Sequence, residues 1–250
     1  MSAKPARGAV PESVADLPYA GALVPYRGEL EVEGDYDTVH LDGLTAPEGT
    51  RAAGARFLES ALTDCVLAGT DLRGARLNDV WAGGCRLTGC TLAGSQWLDT
   101  AVVGCSLAGV EVYDAVLRRV AFVRCKLDSV NLRATALHDV VFEDCVLRDV
   151  DFGEARLDGV AFPGTRIEQA RFGRATLARA DLRGAAAIDL ADGYDSLRGA
   201  VITPAQLLDL APALAQTLGL TVAEPAAPAA GPSIAGARTP ATRTRRSTKR

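Results

Sequence analysis

Residues 120–159 read, in groups of five, VAFVR CKLDS VNLRA TALHD VVFED CVLRD VDFGE ARLDG. Each group carries Leu or Phe at its centre and a Val, Cys, Thr or Ala two places earlier, while every charge falls on the other three places. The frame runs unbroken from residue 55 to residue 187. Its large column begins Phe57, Leu62, Leu67, Leu72, Leu77 and continues to Leu182, with only Ala82 and Ala187 undersized. Its small column, from Ala55 and Ser60 to Ala185, holds only Ala, Ser, Cys, Thr and Val. At an average charged fraction of about 25%, chance would clear both columns of charge about once in ten million sequences, so the frame is a physical constraint.

A period of five excludes the ordinary elements. Five steps around an α-helix leave a side chain about 140° from its start, which smears the apolar stripe over the whole surface. In a flat strand, side chains alternate with period two, so successive leucines would face opposite ways. The pattern fits a chain that turns a corner every five residues and points the large residue, with the small one two before it, inward each time. Four such sides close a coil of 20 residues.

The units Thr70-Asp71-Leu72-Arg73-Gly74 and Ala180-Asp181-Leu182-Arg183-Gly184 run small residue, Asp, Leu, then two variable residues. They resemble the pentapeptide-repeat family, and the resemblance covers a little over half of the chain. The fold it implies is an all-β solenoid: a right-handed, quadrilateral parallel β-helix of about seven coils with a C-terminal capping helix. One departure from the family pattern stands out. The second place is Asp or Asn only at Asp71, Asn131, Asp151 and Asp181.

Residues 20 apart should lie directly above one another at the roughly 4.8 Å spacing of neighbouring strands. Cys65, Cys85, Cys105, Cys125 and Cys145 then form one inward ladder, with Cys90 on the adjacent side. Buried in single file among leucines, these thiols are expected to serve packing rather than metal binding or redox chemistry. Phe122, Phe142 and Phe162 stack on another side. One outer wall breaks the polar rule, because Ala61, Trp81, Ala101, Ala121, Val141 and Ala161 share it with Val103 and Val123. A wall of this kind on a soluble protein is normally covered. Trp81, Val103, Val123 and Val141 are therefore a candidate interaction face, covered either by the N-terminal segment or by a partner or second copy. In a third reading Trp81 turns inward beside the small Ala82.

Outside the repeat, residues 1–21 read as disordered. Residues 22–54 read as an N-terminal cap whose short strands, around Leu30-Glu31-Val32 and Val39-His40-Leu41, begin the first coil out of phase. The repeat body extends over 55–202, crossing a loose turn at Leu190–Ser196 before Leu197 and Ile202 resume the phase. At 203–220, Thr203 as N-cap, Pro204 at the first helical position and Gln206 completing a capping box predict a helix, and Gly219 stops it. Leu207, Leu210, Leu214 and Leu218 share one face of this helix, which is expected to cap the last coil or to join two copies. Pro212 predicts a kink, or two short helices. Residues 221–250 are an Ala/Pro-rich tail, read as disordered. Its basic end, with Arg243, Arg245, Arg246, Lys249 and Arg250, is a solvated tail or a weak contact for nucleic acid or an acidic partner.

Signals for catalysis are missing from the sequence. No glycine-rich phosphate loop, zinc-spaced Cys or His pair, or nucleophile motif occurs, so no catalytic, metal or cofactor residue is assigned. His40 and His138 stand apart from any nucleophile, and Glu143 and Asp144 point outward from a turn. No apolar segment follows the first residues as in a signal peptide, and no run approaches the roughly 18 residues of a membrane span. The expected setting is thus the bacterial cytoplasm, the Arg-over-Lys bias suggesting a GC-rich source. The expected function is a non-enzymatic module that binds a protein partner, unidentified, through its outer faces.

The resemblance adds an alternative, since some pentapeptide-repeat proteins mimic duplex DNA, bind DNA gyrase and protect it from quinolones or peptide toxins. A rod of nearly seven coils would be about 33 Å long, and duplex DNA of that length carries about 19 negative charges. Residues 55–190 carry a net charge of −2, which makes the body a poor replica.

Overall fold

A computed structural model describes residues 10–223 of the chain. The chain winds as a parallel β-solenoid with four walls. Eight strands, from Asp35–Asp37 to Thr176–Ala178, form the wall that contains Trp97. Seven strands, from Val24–Tyr26 to Val141–Glu143, form the Trp81 wall, and seven more, from Val66–Ala68 to Ala187–Asp192, form the Leu87 wall. The Leu92 wall is built of single bridges, Arg51–Asp71–Thr91–Glu111–Asn131–Asp151–Arg171. Through the body each residue pairs with the one 20 positions away, as Trp97 does with Leu77 and Leu117, so the large column stacks on itself. Phe122, Phe142 and Phe162 lie face to face with ring centroids 4.9 and 5.3 Å apart.

The corners explain why the outer positions are so permissive. At every fifth residue from Gly54 to Arg179 the backbone has a positive φ, between 44° and 72°. Such a left-handed corner turns the chain onto the next wall without consuming a core position, at a cost of roughly 1–2 kcal/mol for a residue with a Cβ. Glycine and aspartate occupy most of these corners, yet Arg119, Arg124, Ser129, Ala134 and Gln169 also occur there. The corner geometry is therefore imposed by the stacked coils.

The four Asp or Asn residues that match the family unit mark a second kind of corner. All four sit in single-bridge units, where the side chain accepts a hydrogen bond from the backbone N–H two residues on. Asp71 accepts from Arg73 at 3.1 Å, Asn131 from Arg133 at 3.1 Å, Asp151 from Gly153 at 2.7 Å and Asp181 from Arg183 at 3.0 Å. These are Asx turns. Other single-bridge units carry Thr91, Glu111, Ala161 or Arg171 at this place, so the Asx turn supports this corner without being required for it.

The small column is chosen for a further reason besides size. Most of its polar members donate inward to the carbonyl of the large residue one coil below, as Cys65 does to Leu41, Cys125 to Val102, Thr135 to Val112 and Thr165 to Phe142, whereas Thr70 Oγ1 is buried without a partner among the described residues. Cysteines and threonines alternate in one role, satisfying carbonyls that face the interior. Cys145 N–H in turn donates to Thr165 Oγ1 at 3.0 Å, which ties successive coils along the ladder.

Both ends depart from the sequence-based expectation. The first coil is one residue longer than the rest, pairing Tyr36 with Phe57 and Leu41 with Leu62. Leu30-Glu31-Val32 is not a strand: Leu30 plugs the core, and Val32 lies in a turn, exposed. Residues 10–21, expected to be disordered, instead form two 3-10 turns, Val14–Asp16 and Ala20–Ala22, because an apolar wall is there to receive them. At the upper end the frame slips by one, so Ile188 rather than Ala187 stacks on Ile167.

The C-terminal helix, α1 (Pro204–Thr217), has the expected capping box, and Gln206 also donates to the carbonyls of Leu182 and Ala185 in the last coil. It is one helix, not two, with Pro212 inside it. Both Pro212 and Leu208, whose carbonyl the proline leaves without an amide donor, are on the solvent-exposed side of the helix.

Two outcomes test these constraints. Ala134→Gly should raise stability to denaturant by about 0.5–1 kcal/mol through relief of the left-handed corner, while Gly89→Ala, whose new Cβ meets nothing within 4 Å, should lower it by a similar amount. Thr165→Val should cost about 2–4 kcal/mol, since it strands both the Phe142 carbonyl and the Cys145 N–H in the core.

Candidate interaction surface

The apolar wall that the sequence singles out is covered by the chain's own N-terminal segment. Leu17 is buried with Ala61, Trp81, Val103, Ala121 and Val123, and Val10, Val14, Tyr19, Ala20 and Leu23 pack around them. Trp81, Val103 and Val123 are accordingly buried and Val141 half-buried, so of the two covers weighed for this candidate interaction face the N-terminal segment is the one present, and the face is an intramolecular seam. The tryptophan stays on the outside of the coil. Its ring lies flat across Gly83, where a Cβ would fall 2.0 Å from Cη2, so glycine is the only residue this packing admits.

Polar contacts fix the strap at three points. Trp81 Nε1–H donates to the Pro11 carbonyl at 2.9 Å, Tyr19 O–H donates to the Asp79 carbonyl at 2.6 Å, and Glu12 pairs with Arg124. Burial first, then the carboxylates of Asp79 and Glu59, push the Tyr19 phenol well above its ordinary range, which keeps it a donor. The Asp79 carboxyl is raised as well, by burial and then by Asp99 and Glu59. The spacing of Val10, Val14 and Leu17 puts apolar residues on the strap without specifying the wall that receives them.

Elsewhere the outer walls carry interleaved charges. Arg119 meets Asp99 at 2.6 Å, Arg171 meets Asp149 at 2.6 Å, Arg179 meets Asp158 at 2.6 Å, and Arg133 meets both Asp151 and Glu154. Apart from the part-buried Arg133–Asp151 contact these pairs are largely exposed, and such pairs contribute little to stability. Together they offset much of the local field on the walls they occupy.

On α1, only Leu210 is buried; Leu214 is half-buried and Leu207 is 49% exposed, and Leu218 at the C-cap is 72% exposed. The helix therefore closes the coil with one part of its apolar face and leaves the remainder open. Leu208, Leu220 and Val222 extend the exposed apolar surface. The basic residues Arg243, Arg245, Arg246, Lys249 and Arg250 lie outside the described residues.

The thiols all lie inside the coil. All six cysteines are free and buried. Burial pushes the Cys90 thiol up. A thiol that donates to a buried carbonyl is held in its neutral form. No cluster able to hold a metal ion occurs among the described residues.

Family models for pentapeptide repeats match the chain in two places, as a pentapeptide repeat region over residues 103–172 and as pentapeptide repeats over residues 48–79. The chain is a pentapeptide-repeat protein. Solved structures of similar fold include HetL, a pentapeptide repeat protein involved in heterocyst differentiation regulation from the cyanobacterium Nostoc. It is 19% identical, with 72% of this chain and 86% of that chain covered and a TM-score of 0.42. QnrB1, a plasmid-mediated fluoroquinolone resistance protein, is 15% identical in its trypsin-treated form, covering 81% of this chain and 99% of that one, with a TM-score of 0.40. A pentapeptide repeat protein from the Arabidopsis thaliana thylakoid lumen is 10% identical, covering 50% and 74%, with a TM-score of 0.33. At these identities the likeness extends to fold alone. No curated protein matches the sequence. No helix among the described residues of this pentapeptide-repeat chain is long and apolar enough to cross a membrane.

The seam makes a sharp prediction. Gly83→Val should force the Trp81 ring off the wall, shift tryptophan emission to the red and cost about 2–3 kcal/mol, the order expected for exposing a large buried side chain. An unshifted spectrum would show that the strap does not depend on Trp81.

Proposed function

We propose that this pentapeptide-repeat protein is a non-catalytic interaction module whose contact surface is its C-terminal end. The observation that carries this reading is the exposed apolar side of α1, with Leu207, Leu208 and Leu218 open to solvent. The Trp81 wall is occupied by the chain's own strap, and the other walls carry paired charges. Joining two copies through α1 is the simplest use of such a surface, because a helix that caps each coil can also pair with its counterpart.

Binding to DNA gyrase by mimicry of duplex DNA is the second reading. What favours it is the row of corner carboxylates Glu59, Asp79 and Asp99, in which burial first, and then Asp99 and Glu59, disfavour ionisation of Asp79. What weighs against it is that Arg119 holds Asp99 at 2.6 Å in the next coil, and that guanidinium groups interrupt the acidic rows on the remaining walls. The reading leaves the cytoplasm as the setting and requires no cofactor.

Sedimentation of the full chain should give a dimer, and Leu207→Glu combined with Leu218→Glu should give a folded monomer, because both side chains are already exposed. A wild-type monomer at every concentration would reduce α1 to a cap. In a supercoiling assay the wild type should leave gyrase unaffected, and inhibition would put the acidic corner ahead of the helix.

A further inference from the structure

The interior of the solenoid is not uniformly filled. In the column that runs Leu62, Ala82, Val102, Phe122, the two smallest members follow one another, and Val102 stacks directly on Ala82. Beside them is a cavity of about 60 Å³ with an entirely apolar surface, lined among others by Leu62, Leu77, Leu87, Trp97 and Leu107. Leu62, Leu77, Ala82 and Leu87 belong to the inward column yet are only partly buried, because part of their surface faces this space.

Three features keep the space open. The walls around it are pinned by parallel ladders on either side, so they cannot collapse inward to fill it. The Trp97 indole, large enough to occupy the gap, is held elsewhere: its Nε1–H donates to Ser95 Oγ at 2.7 Å, and its ring packs against Phe122 at a centroid distance of 6.1 Å. The polar groups at the margin are already engaged. Thr100 Oγ1 donates to the Leu77 and Leu98 carbonyls, Cys85 Sγ to that of Leu62 and Cys105 Sγ to that of Ala82. A water molecule would find no free partner there, and apolar cavities of this kind stay dry while admitting apolar guests.

We propose that the cavity beside Ala82 is a binding site for a small uncharged apolar molecule. A cavity of about 150 Å³ accommodates benzene or xenon. The space beside Ala82 is less than half as large, which restricts the guest to the size of a xenon atom or of a diatomic or one-carbon molecule. No channel is needed, since guests of this size reach buried cavities through breathing of the coils. The site is independent of the α1 surface, and each can fail without the other.

Xenon is the probe. Methyl NMR spectra of the full chain under increasing xenon pressure should show saturable shifts at Leu62, Leu77, Leu87 and Leu107, with methyls of the Phe142–Phe162 region unmoved. Ala82→Leu, which fills the space, should abolish the saturable shifts. Val102→Ile should weaken them at least severalfold, and it serves as the test if Ala82→Leu does not fold. Shifts that rise linearly without saturation, that spread evenly over the solenoid, or that survive in a folded filled variant would overturn the proposal.

Discussion

A left-handed corner every fifth residue is the constraint on which the body depends. Between corners there is room for one large and one small inward side chain, and nothing more. Stacked coils hold the corner in place through hydrogen bonds from its amide, as Asp99 N–H donates to the Arg118 carbonyl and Ala134 N–H to that of Gly153. Residues as different as Arg119 and Ala134 can therefore occupy it. The same arrangement turns interior carbonyls toward the core, and the cysteines, serines and threonines of the small column serve them. Cysteines that a motif search might assign to metal or redox chemistry are in this protein hydrogen-bond donors to Leu41, Leu62 and Val102.

Regularity of this kind limits where function can reside. A repeating coil presents similar surfaces on every rung, so specificity must come from the places where the repeat is interrupted. Trp81 with Gly83 is one interruption, and the N-terminal strap consumes it. Ala82 with Val102 is a second, and it leaves an interior space. The slip at Ile188 is a third, after which the chain leaves the coil to form α1 with leucines on both its packed and its open sides. The arginine–carboxylate pairs between coils, by contrast, offset much of the local field on the walls they occupy.

The inward columns were legible because their cause is local and repeated: each unit states the same requirement, and 27 repetitions leave no ambiguity. The capping helix was legible for a similar reason, as Thr203, Pro204 and Gln206 form a signal that needs no distant partner. Residues 10–21 were misjudged because nothing within them demands structure. Their order comes from Trp81 and Val103, some 70 to 90 positions away, which supply the surface they bury. Leu30-Glu31-Val32 alternates like a strand, but the first coil places it on the wall of single bridges, where Leu30 alone turns inward.

The sequence by itself thus determined the period, the inward columns and the helix start, since these follow from size and polarity at fixed spacing. Tertiary structure alone decided which outer residues are covered. Whether Trp81 faces solvent, a partner or its own chain depends on where the strap lands, and whether Leu207 and Leu218 are buried depends on the angle at which α1 meets the last coil. Both are set by contacts between distant segments, and no spacing within either segment encodes them.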